Sequence, residues 1–138
     1  MSLDKVKLLN LPEKGDERGS LIAIEENKDI SFDIKRLFYM YGSNDGIIRG
    51  QHANRNSEFI LINVAGSSKV KVDDGKGNIK EYNLNKPNIG LYIPNMIWKD
   101  MYDFSKDSVL LVLSNQYYDE NEYIRDYEHF KKEVNNND

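Results

Sequence analysis

The sequence predicts an all-β domain, a sandwich or closed barrel, that ends in one short helix. Three observations carry this. Turn-forming residues recur at short, near-even intervals along the chain. The runs between them have strand length and are rich in Val, Ile, Tyr and Phe, which suit a pleated surface. Helical periodicity is confined to the C-terminal segment. Many short strands at regular spacing point to sheets packed on one another rather than to alternating strands and helices.

The turns fall at Gly15-Asp16, Arg18-Gly19, 42–46, Gly50, Gly66, 73–78, Pro87-Asn88, Pro94-Asn95 and 105–107. Between them the strand-like runs are 20–24, 35–41, 58–64, 68–72, 79–84, 89–93 and 109–114. The clearest local pattern is a hairpin. Lys69-Val70-Lys71-Val72 alternates, so Val70 and Val72 share a face. Lys80-Glu81-Tyr82-Asn83-Leu84 alternates again, and the linker 73–78 holds residues that tolerate positive φ. The run Val109-Leu110-Leu111-Val112-Leu113 is continuously apolar, which fits a strand covered on both faces. Near the C-terminus, Asp119 and its acidic neighbours offer a helix cap. Tyr123, Ile124, Tyr127 and Phe130 then follow at helical spacing. A helix is expected over about 120–134, with a frayed tail at 135–138.

Length and composition agree with one globular domain over residues 1–138. The 138 residues are 39% hydrophobic and 30% charged, with a net charge of -4. That is an ordinary balance with no basic stripe, so a nucleic-acid partner is not expected. No window is apolar enough to span a bilayer, and the N-terminus lacks a signal-peptide core, so neither a membrane nor export is expected. There are no cysteines, which excludes disulfides and thiolate metal sites and fits a reducing cytoplasm. Nine tyrosines suggest rings half-buried on strands or at a subunit contact, with one or two lining a polar cavity.

The two histidines are the scarcest chemistry-bearing residues. His129 lies beside the apolar stripe of the terminal helix and reads as a surface or packing residue. His52 lies in 47–58, after a Gly-rich turn and before a strand. On an extended chain His52, Asn54 and Glu58 share parity, with Arg49 just before them. An imidazole, an amide and a carboxylate would then face one cavity, with a guanidinium at its rim.

Gly50, His52, Glu58 and Gly66 resemble the first motif of the cupin barrels. Metal-binding cupins place a second His at the position of Asn54 and a third at that of Lys99. With an amide and an ammonium there, a lone His and a Glu do not hold zinc or iron, so no metal is expected. Longer stretches are similar to the sugar 3,4-ketoisomerases. They are Asp16-Glu17-Arg18-Gly19-Ser20-Leu21, Ile34-Lys35-Arg36, Arg49-Gly50-Gln51-His52-Ala53, Asn88-Ile89-Gly90-Leu91-Tyr92, Trp98, Asp103-Phe104-Ser105, and Tyr117-Tyr118-Asp119-Glu120 followed by Tyr123-Ile124-Arg125-Asp126-Tyr127. The likeness runs from about Gly15 to Phe130. It departs at Asn54, where the family carries a second His, and at Lys99, where a His follows the Trp.

The resemblance implies a cupin, or jelly-roll, β-barrel and a cofactor-free isomerase. Its substrate would be dTDP-4-keto-6-deoxyglucose, and its assembly a homodimer with exchanged N-terminal strands. Shifting a ketone from C4 to C3 removes the C3 proton, forms an enediol(ate) and places a proton on C4. His52 is the implied base, since imidazole titrates near neutrality. Tyr39 is the candidate phenolic donor to the enediolate. Arg49 and Arg36 are the candidate diphosphate cations, because guanidinium forks match phosphate oxygens. Asn54 would donate to a sugar oxygen, and Lys99 would either stabilise the oxyanion or face solvent. Arg18 reads as a turn or dimer contact, and Arg125 as an ion-pair partner of Glu122 or Glu128. Two other readings stand beside this one: a sugar-nucleotide 3,5-epimerase, and a non-catalytic sugar-nucleotide-binding cupin.

Overall fold

A computed structural model describes residues 2–44 and 46–136. Asp45 of the 42–46 turn and Asn137 and Asp138 of the expected frayed tail lie outside the described residues. The chain folds into a jelly-roll barrel of antiparallel strands. One sheet has the order β1 (Lys7–Asn10), β9 (Ile89–Ile93), β6 (Phe59–Ala65), β11 (Val109–Ser114), β4 (Arg36–Tyr41). The other has the order β12 (Tyr123–Ile124), β5 (Arg49–Asn54), β10 (Trp98–Tyr102), β7 (Ser68–Asp73), β8 (Ile79–Leu84). A separate hairpin joins β2 (Glu13–Asp16) to β3 (Gly19–Ile22). Among the described residues no helix is long and apolar enough to cross a membrane.

The main core fills the space between the two sheets. Phe59, Leu61, Val70, Val72, Leu84, Leu91, Ile93, Leu110 and Val112 meet there. Alternation decides which residues enter it: Val70 and Val72 point inward from β7, and Tyr82 opposite Val70 supplies the facing ring. A second cluster, with Leu11, Ile30, Phe32, Ile60, Ile62 and Leu113, covers the outer face of the first sheet. Strand β6 is therefore buried on both sides, and β11, between β6 and β4, is the doubly covered strand its continuous apolar run predicts.

The C-terminal segment differs from the expected helix of 120–134. Asp119 does cap a helical turn, accepting from Asn121 N at 3.0 Å, but that turn is 3₁₀ and spans only Glu120–Glu122. Tyr123 and Ile124 then form β12 against Asn54 and Ala53. Both are good strand formers, and pairing satisfies the β5 edge that a helix would leave open. The α-helix, α1 (Tyr127–Asn136), begins only after Asp126 accepts from His129 N at 2.9 Å. Its Phe130 packs with Trp98, Ala53 and Ile124 on the outer face of the second sheet. The 73–78 turn is tied to this helix, since Asn135 Nδ2 donates to the Gly75 carbonyl at 3.1 Å.

Candidate active site

Strand β5 carries the site, and a bulge shapes it. The β5–β10 ladder pairs Lys99 with His52 and Asp100 with Gly50, so Gln51 is an extra residue. Gly50 and Gln51 take positive φ, 85° and 56°. On a regular strand Arg49 and His52 would face opposite sides. The extra residue resets the parity, and both line the same cavity. Glycine is required at position 50: a Cβ there would lie 2.9 Å from the Lys99 carbonyl oxygen and 2.9 Å from Met101 Cε.

The cavity occupies about 130 Å³ between the two sheets. Phe38, Met40, Phe59, Leu61, Met101 and Val112 make apolar walls, and Arg49, His52, Lys99 and Tyr123 bring polar groups to it. The Tyr123 ring stands edge-on to His52, with centroids 4.9 Å apart. His52 Nδ1 is buried and finds no hydrogen-bond partner among the described residues. Burial, then the neighbouring Lys99, Arg125 and Arg36 cations, push the imidazole down to about 3. This overturns the near-neutral titration expected of His52: the imidazole is neutral at physiological pH with a lone pair to offer, and is a weaker base than free imidazole.

Lys99 is the correction with the largest consequence. It does not face solvent. Its side chain is buried, with Nζ 4.4 Å from the centroid of the Phe59 ring and donating to Asn54 Oδ1 at 3.2 Å. Burial pushes its ammonium down to about 7, against the pull of Glu122 and with the help of Arg36. Asn54 is not aimed at a substrate either. Its Nδ2 donates to Glu122 Oε2 at 2.8 Å while its Oδ1 accepts from Lys99, so both ends of the amide are engaged inside the protein. Glu122 accepts further bonds from Asn56 N at 2.8 Å, Ser57 N at 2.9 Å and Ser57 Oγ. Burial works to raise its carboxyl, but these donors hold it below the usual carboxylate range.

Three other expectations are revised. Tyr39 is 57% exposed on the outer face of β4, where its neighbour in space is Tyr41, and the inward residues of that strand are Phe38 and Met40. The phenol at the cavity is Tyr123, whose hydroxyl accepts from Arg36 Nη1 at 3.4 Å. Glu58 leaves the His52 face, because the turn after Asn54 breaks the parity; its carboxylate accepts from Tyr92 Oη and from Asn115 Nδ2 at 2.8 Å. Arg125 pairs with neither Glu122 nor Glu128. It lies over the Tyr123 ring at 4.6 Å, close enough for its charge to reach His52.

Arg36 stays beside the site, its guanidinium between the Phe38 and Tyr118 rings at 5.2 and 5.5 Å. Its Nε and Nη2 are buried and without partners among the described residues, so a cationic fork is left to face an anion. Arg18 is a turn contact, closing on Asp16 at 2.6 Å, and His129 is a surface residue 3.3 Å from Glu133. Among the described residues no group of three or more His, Cys, Asp or Glu side chains is placed to hold a metal ion. Tyr123 had a signal in the sequence, an aromatic within a conspicuous Tyr-rich segment, but assigning that segment to a helix hid its strand geometry.

The chain as a whole is similar to known proteins. The model of the family described as WxcM-like, C-terminal (FdtA) matches residues 4–135. A TDP-4-oxo-6-deoxy-alpha-D-glucose-3,4-oxoisomerase from Aneurinibacillus thermoaerophilus is 45% identical over 128 residues, 93% of this chain and 91% of that protein. A crystal structure of a 3,4-ketoisomerase from Helicobacter canadensis superposes with a TM-score of 0.92 at 46% identity, over 95% of this chain and 98% of the other. A variant of a 3,4-ketoisomerase from Thermoanaerobacterium thermosaccharolyticum, in complex with TDP-4-keto-6-deoxyglucose, matches at 0.92 with 37% identity, over 95% and 94% of the two chains.

Proposed function

Because the chain belongs to the FdtA (WxcM-like, C-terminal) family, matched over residues 4–135, we propose that it is a sugar-nucleotide 3,4-ketoisomerase acting on TDP-4-keto-6-deoxyglucose. The observation that carries the reading is His52, an imidazole whose buried Nδ1 has no geometric hydrogen-bond partner among the described residues, in a largely apolar-walled cavity opposite a cation. His52 takes the C3 proton, and the electron pair forms the enediolate. The same imidazole returns the proton to C4. One positioned acid–base group of this kind contributes about 10²–10⁴-fold. The apolar walls from Phe38, Phe59 and Leu61 keep bulk water from the enediolate and strengthen every charge–charge contact within.

Arg49, which lines the cavity, and Arg36 and Arg125, whose charges reach His52, supply the guanidinium groups a diphosphate needs, and the unpartnered Nε and Nη2 of Arg36 favour it for a bidentate contact. Tyr123 takes the place first given to Tyr39, as the phenol facing the substrate. We assign the reaction to side chains alone, because the Asn54 amide is occupied at both ends and the Lys99 ammonium repels a cation from the His52 side. The working assembly is a homodimer with exchanged N-terminal strands, and the setting the cytoplasm, where a cysteine-free chain and its nucleotide-sugar substrate fit.

Turnover of TDP-4-keto-6-deoxyglucose in D2O, followed by NMR, tests the reading. A carbonyl that moves from C4 to C3, and a loss of at least about a hundredfold in kcat for His52→Asn, is the expected result. Deuterium entering C5 with the carbonyl in place would make the protein a 3,5-epimerase. Nucleotide binding without turnover would make it a binding module.

A further inference from the structure

Moving a ketone between adjacent carbons transfers two hydrogens, not one. The carbon-bound proton goes from C3 to C4. The hydroxyl proton must also leave O3 and arrive at O4, because O4 begins as a carbonyl oxygen and ends as a hydroxyl. His52 accounts for the first transfer only. A single imidazole holding the C3 proton is an imidazolium, and it cannot at the same moment accept the O3 proton. The cavity must supply a second group that both gives and takes a proton.

Resting on the ketoisomerase reading, we propose that Lys99 is this second carrier, the acid that protonates O4 and then the base that accepts the proton of O3. Lys99 and His52 stand opposite each other across the β5–β10 ladder and line the same cavity. Lys99 has three donor hydrogens. One is committed to Asn54 Oδ1 at 3.2 Å, and Glu122 fixes that amide from behind through the 2.8 Å bond to Asn54 Nδ2. The ammonium is thereby positioned while its other hydrogens stay free of protein acceptors among the described residues. Arg49, Arg36 and Arg125, the other cations near the cavity, cannot replace it, since guanidinium does not lose a proton in the working pH range.

The bookkeeping of bonds closes without any other reactant. His52 breaks the C3–H bond, and that electron pair forms the C3=C4 double bond as the C4=O π pair moves onto O4. O4 takes a proton from Lys99, giving a neutral amine, an imidazolium and a neutral enediol. The amine then takes the O3 proton, the O3 pair forms C3=O, and the C3=C4 pair takes the proton of His52 at C4. Lys99 ends protonated and His52 neutral, as both began. A Lys held near 7 can run both directions at similar ease, whereas an ordinary exposed Lys would give up its proton reluctantly.

Burial and Arg36 on β4 lower this titration and Glu122 raises it; the other titratable or charged groups near the ammonium are His52 and Arg49 on β5, Tyr123 on β12 and Arg125 over Tyr123. Phe59 on β6 and Val72, its ladder partner on β7, are uncharged.

The experiment is the pH profile of kcat/KM for the wild type, Lys99→Arg and Lys99→Met with TDP-4-keto-6-deoxyglucose. The proposal expects the wild-type rate to fall as the pH rises through about 7, the point at which free Lys99 loses its proton. Both variants should lose kcat by at least about a hundredfold with little change in KM, and both should lose that alkaline limb. Met nearly matches Lys in volume and removes a buried charge, so its variant should fold, and thermal melting checks it. A fully active Lys99→Arg would reduce the residue to a fixed positive charge and overturn the proposal, as would an alkaline limb that survives in Lys99→Met. His52→Asn separates the two readings: if it too is active, the ketoisomerase assignment of the base fails, and not merely the role of Lys99.

Discussion

The Asn54 side chain joins Glu122 to Lys99, donating to the carboxylate at 2.8 Å and accepting from the ammonium at 3.2 Å. All three side chains are buried, so each polar atom there depends on the others. Asn54→Ala should leave one carboxylate oxygen and one ammonium short of a partner and lower stability by about 1–3 kcal/mol. Urea denaturation reads this directly. A midpoint equal to the wild type's would mean that water takes over both contacts, contrary to the burial seen here.

Lys99 also makes stability depend on pH in a defined window. In the unfolded chain it keeps its proton up to about 10.5, and in the folded protein only up to about 7. Between those values the unfolded state binds more protons, so stability rises with pH, by up to about 1.4 kcal/mol per pH unit. Below about 7 both states are protonated and this dependence vanishes. The stability of Lys99→Met minus that of the wild type should therefore be largest near neutral pH and shrink as the pH approaches 10.5. A difference that stays flat across that window would show Lys99 to be an ordinary exposed lysine.

Gly50 links backbone geometry to the site. Gly50→Ala forces a side chain onto a φ of 85° and into the Lys99 carbonyl, 2.9 Å away. We expect a loss of about 1–3 kcal/mol, together with a fall of at least about tenfold in kcat, because relief of the clash spreads β5 from β10 and moves His52 off its register with Lys99. Gly77→Ala is the control. It also has positive φ, 93°, but nothing within 4 Å of the added carbon, so it should lose stability alone. Equal kcat in both variants would break the link between the bulge and catalysis.

The phenols give a clean contrast. Tyr39→Phe removes a hydroxyl from the outer face of β4 and should leave the rate unchanged. Tyr123→Phe removes the hydroxyl that accepts from Arg36 beside the cavity and should lower kcat/KM by about 10- to 100-fold. Steady-state kinetics with the two variants side by side settles it, and the reverse order would restore Tyr39 to the site.

What the sequence discloses here follows from where periodicity survives. The β7–β8 hairpin and the doubly covered β11 keep strict patterns, alternating or continuously apolar, and both form as expected. The site is less legible because each departure from pattern is local. One extra residue at Gln51 puts Arg49 and His52 in one cavity, and no parity count along a regular strand would do so. The turn after Asn54 sends Glu58 to Tyr92 instead. Tyr123 and Ile124 sit in a helical stripe by spacing, but the open edge of β5 makes them a strand. The sequence leaves Lys99 either an oxyanion partner or a solvent-facing residue, because the ring that covers its ammonium is Phe59, forty residues earlier in the chain.

The surface bears on the proposed dimer. Strand β4 is an edge of its sheet, and its outer face shows Leu37, Tyr39 and Tyr41, which are 52%, 57% and 72% exposed. The β2–β3 hairpin exposes Leu21 as well, and an isolated two-stranded hairpin is marginal in water without a surface to cover it. A second copy of the chain would satisfy both, laying its hairpin along an apolar edge that one copy leaves uncovered. Sedimentation equilibrium should then give twice the 16.1 kDa chain mass. Tyr41→Lys should weaken the association, and Leu21→Asp likewise if the hairpin is what crosses over. A wild-type protein that sediments at the single-chain mass would exclude the exchanged dimer, and a Leu21→Asp variant that remains fully dimeric would exclude the hairpin as its contact.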